Sequence, residues 1–202
     1  MYNLFQEKME LFCVFTNKDI EKEFPKFDKK NLVYWQKKNY IKKIRNNYYY
    51  FSKNELSDEF LFFVANKIYH PSYISLESSL SYYSVIPESV FTSTSVSTLK
   101  TNHFSTLIGI FSYNNIKENL FFGYTLIQYK NHFFKLANLE KTVLDYLYLH
   151  PEIAAKNDFD SLRWNKEVLK KINFKRLSDY QILFNSNALN LRIKRLIEYI
   201  HA

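Results

Sequence analysis

The chain has 202 residues, 47% apolar and 19% aromatic, enough to bury a sizeable core in one large or two small domains. Its 2 glycines and single cysteine disfavour a glycine-rich nucleotide loop and exclude an internal disulfide or a cysteine-based zinc site. The net charge of +8 is concentrated in two blocks: residues 26–53 carry +8 and residues 163–202 carry +6, against −2 for 1–25 and −4 for 54–162.

Such local positive charge is the footprint of a polyanion partner, the alternative being solvated lysine faces. No window holds the roughly 18 uninterrupted apolar residues of a membrane span. Glu7 and Glu10 fall where a secretion signal needs a basic then an apolar stretch. Cys13, in the apolar run LFCVF, reads as a small core residue. The expected setting is a reducing cytoplasm, with no membrane partner.

In chain order, residues 2–14 carry Leu4, Phe5, Met9, Leu11 and Phe12 at helical spacing. Thr16, with Asp19 three residues on, can cap a second helix that stops before Pro25. Asp28 can cap a third, DKKNLVYWQKKNYI, with Leu32, Trp35 and Tyr40 on its apolar side. Two strand-like pieces then flank Arg45-Asn46-Asn47, where Asn tolerates the positive φ of a tight hairpin. Helix, turn, basic helix and basic hairpin is the order of a winged helix-turn-helix. The third helix would enter the major groove and the hairpin would reach phosphates. Lys29, Lys30, Asn31, Tyr34, Lys37 and Lys38 would then face the duplex, and Lys42, Lys43, Arg45, Asn46 and Asn47 would form the wing. A winged helix can also serve only as a protein-interaction module.

The polar run NELSDE makes residues 1–53 the expected DNA-binding domain and 54–202 a second domain. In the latter, LSDEFLFFVANKIY reads as a helix, Ser75 as the cap of LESSLSYY, and VFTSTSVST as a strand. HFSTLIGIFSYNNI and NLFFGYTLIQYKNHFFKL read as further strands, with Gly109 and Gly123 at bulges or close contacts. ANLEKTVLDYLYLHPEI is an amphipathic helix, and residues 158–202 hold three or four more. The fold class is α+β: a winged helix-turn-helix, then a domain with a small sheet and C-terminal helices.

YISLESSLSYYSVIPESVFTSTSVST at 73–98, FGY at 122–124 and ANLEKTVLDYLYL at 137–149 together resemble the AbiEi-type antitoxins of bacterial type IV toxin–antitoxin (abortive infection) systems. That family carries Y-x-S-x-x-S-A-L, matched by Tyr73, Ser75, Ser78 and Leu80, then a strand with T-x-T. It also carries A-x-x-E-K-A-L-L-D-x-L-Y, matched by Ala137, Glu140, Lys141, Leu144, Asp145, Leu147 and Tyr148. Ser79 stands where Ala is usual, Ser84 where Gly is, Leu139 where Pro is and Thr142 where Ala is. The resemblance implies a transcription factor that binds inverted repeats in its own promoter and represses it; a palindromic operator demands two copies, either a dimer or two monomers placed by the DNA. The resemblance also implies a C-terminal domain that counters a nucleotidyltransferase-like toxin, often without a stable complex. On this reading the Ser/Thr-rich stretch leads from helix to strand, with its hydroxyls on the solvent face.

No constellation suggests catalysis, a cofactor or a metal. The five His lie outside any zinc or catalytic spacing. Glu140 and Lys141 are adjacent on a helix rather than on strands, and Glu140 suits the positive end of that helix. Asp145 is expected to bond backbone or a nearby cation. The densest part of the C-terminal basic block, Lys170, Lys171, Arg192, Lys194 and Arg195, is a candidate second surface for nucleic acid or an acidic protein. The rival readings are a ligand-sensing transcription factor with a pocket in its sheet and no toxin partner, or a protein-interaction module that grips with its basic blocks.

Overall fold

The computed structural model describes residues 1–88 and 90–201; Ser89, within the Ser/Thr-rich stretch, lies outside them. The fold is mixed α+β. The first 51 residues form α1 (Tyr2–Met9), a 3-10 turn (Glu10–Phe12), β1 (Val14–Thr16), α2 (Asn17–Glu23), α3 (Lys30–Lys37), β2 (Ile41–Arg45) and β3 (Tyr48–Phe51). The strands pair antiparallel in the order β1-β3-β2.

The expected helix over 2–14 is cut short. Cys13 adopts φ 57°, and the β-branched and aromatic residues after it pair with β3 instead of extending a helix. Leu4 and Leu11 are exposed, while Phe5 and Met9 are buried. Thr16 and Asp19 make the expected reciprocal capping box. Helix α3 is shorter than the stretch 28–41. The Asp28 carboxylate accepts from the Lys30 N–H at 2.9 Å, a turn ahead of the helix rather than its cap. Asn39, at φ 55°, ends it. The β2–β3 turn falls at Asn46-Asn47, with Asn47 at φ 63°.

This small sheet is buried on both faces. One face packs Phe15, Ile41, Tyr49 and Phe51 on α1–α3 through Phe5, Leu32 and Trp35. The other sends Val14, Ile44 and Tyr50 into a core shared with Phe60, Phe63, Val64, Phe111, Tyr113, Phe134 and Leu136. The division expected at 53/54 therefore has a continuous apolar core running across it.

Beyond it lie α4 (Asp58–Ile68), β4 (Ser72–Ile74), α5 (Leu76–Tyr82), β5 (Thr92–Ser97), β6 (Asn102–Thr106) and β7 (Gly109–Asn115). These are followed by β8 (Tyr124–Tyr129), β9 (His132–Ala137), α6 (Leu139–Leu149), α7 (Lys156–Leu162), α8 (Lys166–Leu169), α9 (Phe174–Phe184) and α10 (Asn187–His201). The sheet has six strands in the order β6-β7-β5-β4-β9-β8. Its centre is mixed, with β5–β7 and β4–β9 parallel and β4–β5 antiparallel. Helix α4 covers one face. Helices α5, α6 and the C-terminal helices cover the other through Leu80, Val143, Leu144, Leu147, Leu177 and Leu196.

The Ser/Thr-rich strand β5 departs from its expected place. It is central, and Ser93, Thr94, Ser95 and Ser97 are buried, not on a solvent face. Two of their hydroxyls are used internally, as buried polar groups generally require: those of Thr94 and of Ser97, which donates to the Pro71 carbonyl at 2.6 Å, whereas Ser95 Oγ has no partner among the described residues. Thr94 Oγ1 accepts from the Ser78 N–H at 2.9 Å and donates to the Ser75 carbonyl at 2.8 Å. In return, Ser78 Oγ accepts from the Thr94 N–H at 2.7 Å and donates to the Thr92 carbonyl at 3.1 Å. The expected cap, Ser75, makes no side-chain bond to the helix. A residue 16 positions downstream of Ser78 does so in its place. Thr94→Val should cost about 1–3 kcal/mol by orphaning a buried donor and acceptor, and Thr94→Ser clearly less. Equal loss for both in urea unfolding would refute this non-local cap.

Candidate nucleic-acid interface and a buried charge network

On α3, Leu32 and Trp35 point inward, and Lys30, Tyr34, Lys37 and Lys38 are exposed. The spacing i, i+4, i+7, i+8 lays these four along one stripe of the helix. Among the described residues, none of the three lysines has an anionic partner, whereas Lys29 pairs with Glu21 at 2.8 Å. The Lys38 ammonium lies 5.8 Å from the Tyr34 ring centroid. Asn31 is half-buried, its amide against the Met1 sulfur.

The hairpin residues divide. Lys43, Asn46 and Asn47 are exposed, and Asn47 accepts from the Asn17 amide at 3.0 Å. Lys42 is half-buried opposite Tyr50. Arg45 is drawn to the body of the protein, its guanidinium 3.6 Å from the Phe104 ring centroid on β6, so its planar face is occupied. Within the helix and hairpin, the exposed cations without an anionic partner among the described residues are thus Lys30, Lys37, Lys38 and Lys43.

The C-terminal cluster does not assemble as expected. Arg192 is buried. Its Nε has no partner among the described residues, and burial lowers its pKa. Arg195 donates to the Ala154 carbonyl, and Lys170 pairs with Glu167 at 2.7 Å. Lys171 and Lys194 remain exposed. The helical period of α10 turns Arg192 inward with Ile193 and Leu196, a placement that charge counting does not reveal.

The motif residues from β4, α5 and α6 do converge. Asp145, fully buried, accepts from the Tyr73 hydroxyl at 2.8 Å and the Ser75 hydroxyl at 2.9 Å. It pairs with Lys141 one helical turn earlier, and the Lys141 ammonium also donates to the Tyr73 oxygen at 2.7 Å. Phe122 and Phe184 present their rings to that ammonium at 5.1 Å. Burial raises the Asp145 carboxyl above its ordinary range and lowers Lys141 below its own, with each countering the other. Burial and the Asp145 charge hold the Tyr73 phenol well above its usual value. The i, i+4 spacing of Lys141 and Asp145 is the signal that makes this pair readable from sequence; the contribution of Tyr73 depends on topology. Gly123 belongs to the same arrangement. At φ +72°, a Cβ there would lie 3.0 Å from both Lys141 Cγ and Tyr180.

Glu140, also buried, caps α9 from a distance by accepting from the Asn173 N–H at 2.8 Å. Among the described residues no three His, Cys, Asp or Glu side chains are placed to share a metal ion. No described helix is long and apolar enough to cross a membrane. An open cleft of about 450 Å³ crosses the sheet face at β5–β7. Thr92, Thr94, Ser112, Asn114 and His103 form its floor, with Glu77, Phe91 and His150 around them. No family model matches the chain, and no curated protein matches it.

Removing one partner of a buried pair leaves the other uncompensated, so Lys141→Met should cost about 3–5 kcal/mol. Lys141→Met/Asp145→Leu should recover part of that loss, the Tyr73 and Ser75 hydroxyls staying unpaired. In the single variant the Asp145 carboxyl has a higher pKa folded than unfolded. Its stability should therefore rise as pH falls toward the ordinary aspartate value of about 4. Urea midpoints across pH check this; a single variant with wild-type stability would refute it.

Proposed function

We propose that the protein is a DNA-binding repressor and antitoxin of the AbiEi type, acting by binding rather than catalysis. The observation that carries the DNA part is the α3 stripe: three unpaired lysines and a tyrosine on the face opposite Leu32 and Trp35. A helix fits the major groove, where lysines reach phosphates and base edges. The order helix, strand, helix, helix, strand, strand over the first 51 residues supports a winged helix-turn-helix, with α3 as recognition helix and Asn46-Asn47 at the wing tip. Lys43 supplies the wing's exposed cation, and Arg45 braces the wing from behind. Tyr73, Ser75, Lys141 and Asp145, on which the family resemblance rests, meet in one network, which supports reading residues 54–202 as the antitoxin portion. Its target is a nucleotidyltransferase-like toxin, and the DNA is the gene's own promoter.

The sheet cleft favours a second reading, a ligand-sensing regulator without a toxin partner, because Thr92, Ser112 and Asn114 bring hydrogen-bonding side chains to one floor. A small molecule that releases promoter DNA would support it; rescue of growth from a co-expressed neighbouring toxin supports the antitoxin.

Fluorescence anisotropy with the upstream duplex and a scrambled duplex, across a salt series, tests the DNA reading. Selective binding is expected. Lys37→Ala/Lys38→Ala should weaken it and make log K against log salt shallower by about 2, one unit for each lost phosphate contact. Equal, weak binding to both duplexes, indifferent to that change, would overturn it.

A further inference from the structure

The two edges of the six-stranded sheet are treated differently. At β6, Phe104 is covered by Arg45. Strand β8 at the other edge, YTLIQY, carries no charge and no Pro, the devices by which proteins protect an edge from pairing. Thr125, Leu126 and Gln128 are exposed, Leu126 by 61%. Phe133 on β9 is exposed by 57%. It pairs opposite Gln128, and Leu126 opposite Lys135, so Leu126 and Phe133 are diagonal neighbours on one face.

The hydrogen-bond phase of the edge follows from the β8–β9 ladder. Asn138 N–H donates to the Gly123 carbonyl at 2.9 Å, and the register continues from Tyr124 opposite Ala137. Antiparallel pairs alternate between bonded and non-bonded. Residues 123, 125, 127 and 129 therefore direct their backbone groups at β9, whereas Tyr124, Leu126 and Gln128 direct theirs outward. Among the described residues, no hydrogen bond uses the outward groups.

We infer that β8 is a self-association edge that takes a second copy of this chain, antiparallel, with Leu126 opposite Leu126 of the copy on the two-fold axis. This register matches every outward group: Tyr124 faces Gln128 of the copy, Leu126 faces itself, and Gln128 faces Tyr124. The two-fold keeps faces together, so the two Leu126 side chains meet on one side, each flanked diagonally by the Phe133 ring of its own chain. A second copy fits because the strand matches itself in this register and carries no charge of its own, although the chain carries +8 overall; the Lys135 ammonium opposite Leu126 lies three strand spacings, about 14 Å, from its copy, where salt screens the repulsion. Such an interface is isologous and closes at two copies. It stands apart from the DNA reading, since its test measures mass and cross-linking only.

The test uses the full chain. Sedimentation velocity should show concentration-dependent dimers. Leu126→Cys should form a disulfide-linked dimer under mild oxidation, because bonded antiparallel pairs hold Cα atoms about 5.5 Å apart, within disulfide range. Gln128→Cys should not, its copy lying about 14 Å away along the strand. Cys13 is buried and serves as the unlinked background. Leu126→Pro removes only an outward N–H, so it should give a monomer that melts with wild type. A monomer at every concentration would overturn the proposal and leave the edge to a strand of another protein. So would linking of Gln128→Cys as fast as Leu126→Cys, or a dimer that survives Leu126→Pro.

Discussion

The Asp145 carboxylate fixes how α6 sits against the sheet of the larger part of the molecule. It is fully buried and sits on α6, yet two of its three partners, Tyr73 and Ser75, belong to β4 and the turn after it. A charge taken out of water must be matched in place, or the fold loses several kcal/mol. Its third partner, Lys141, is held by rings of Phe122 and Phe184 and leaves no room for a side chain at residue 123. From there contact passes through Tyr180 to Asn138, which caps α6. Sheet, central helix and C-terminal helices are thus indexed to one another by polar contacts of fixed geometry. Apolar packing alone would tolerate sliding.

Much of the element content was legible in the sequence. Thr16 and Asp19 announce a helix start by a local bond, Asn46-Asn47 a hairpin by backbone tolerance, and Leu139–Leu149 a helix by period. What could not be read depends on partners far along the chain. Ser75 is by type a good cap, but Asp145, 70 residues away, takes its hydroxyl, and Thr94 supplies the cap. The Ser/Thr strand alternates like a half-solvated one, yet it lies between β4 and β7, where the Thr94 and Ser97 hydroxyls find backbone partners. Val14–Thr16 is too short to announce itself and forms only because β3 is beside it.

The same divide runs through the candidate interface. Period predicts which α3 residues point outward, so Lys30, Tyr34, Lys37 and Lys38 could be chosen from sequence. Arg45 could not, because Phe104 comes from a strand nearly 60 residues later. Counting charge in the C-terminal block likewise overlooks that Arg192 turns inward and Arg195 is tied to a carbonyl. A basic composition identifies a block; only burial and pairing decide which members of it a partner could meet.

The doubly buried N-terminal sheet bears on how the protein is made. Val14, Ile44 and Tyr50 are complete in their surroundings only when Phe60–Ile68, Phe111, Phe134 and Leu136 have arrived. During synthesis, chains start to fold from the N-terminal end as they emerge. Here the first 51 residues leave the ribosome with one face packed on its own helices and the other still wet, and they stay so until two-thirds of the polypeptide has been translated. Early emergence therefore does not bring early completion: the nascent N-terminal segment waits for the strands that follow it.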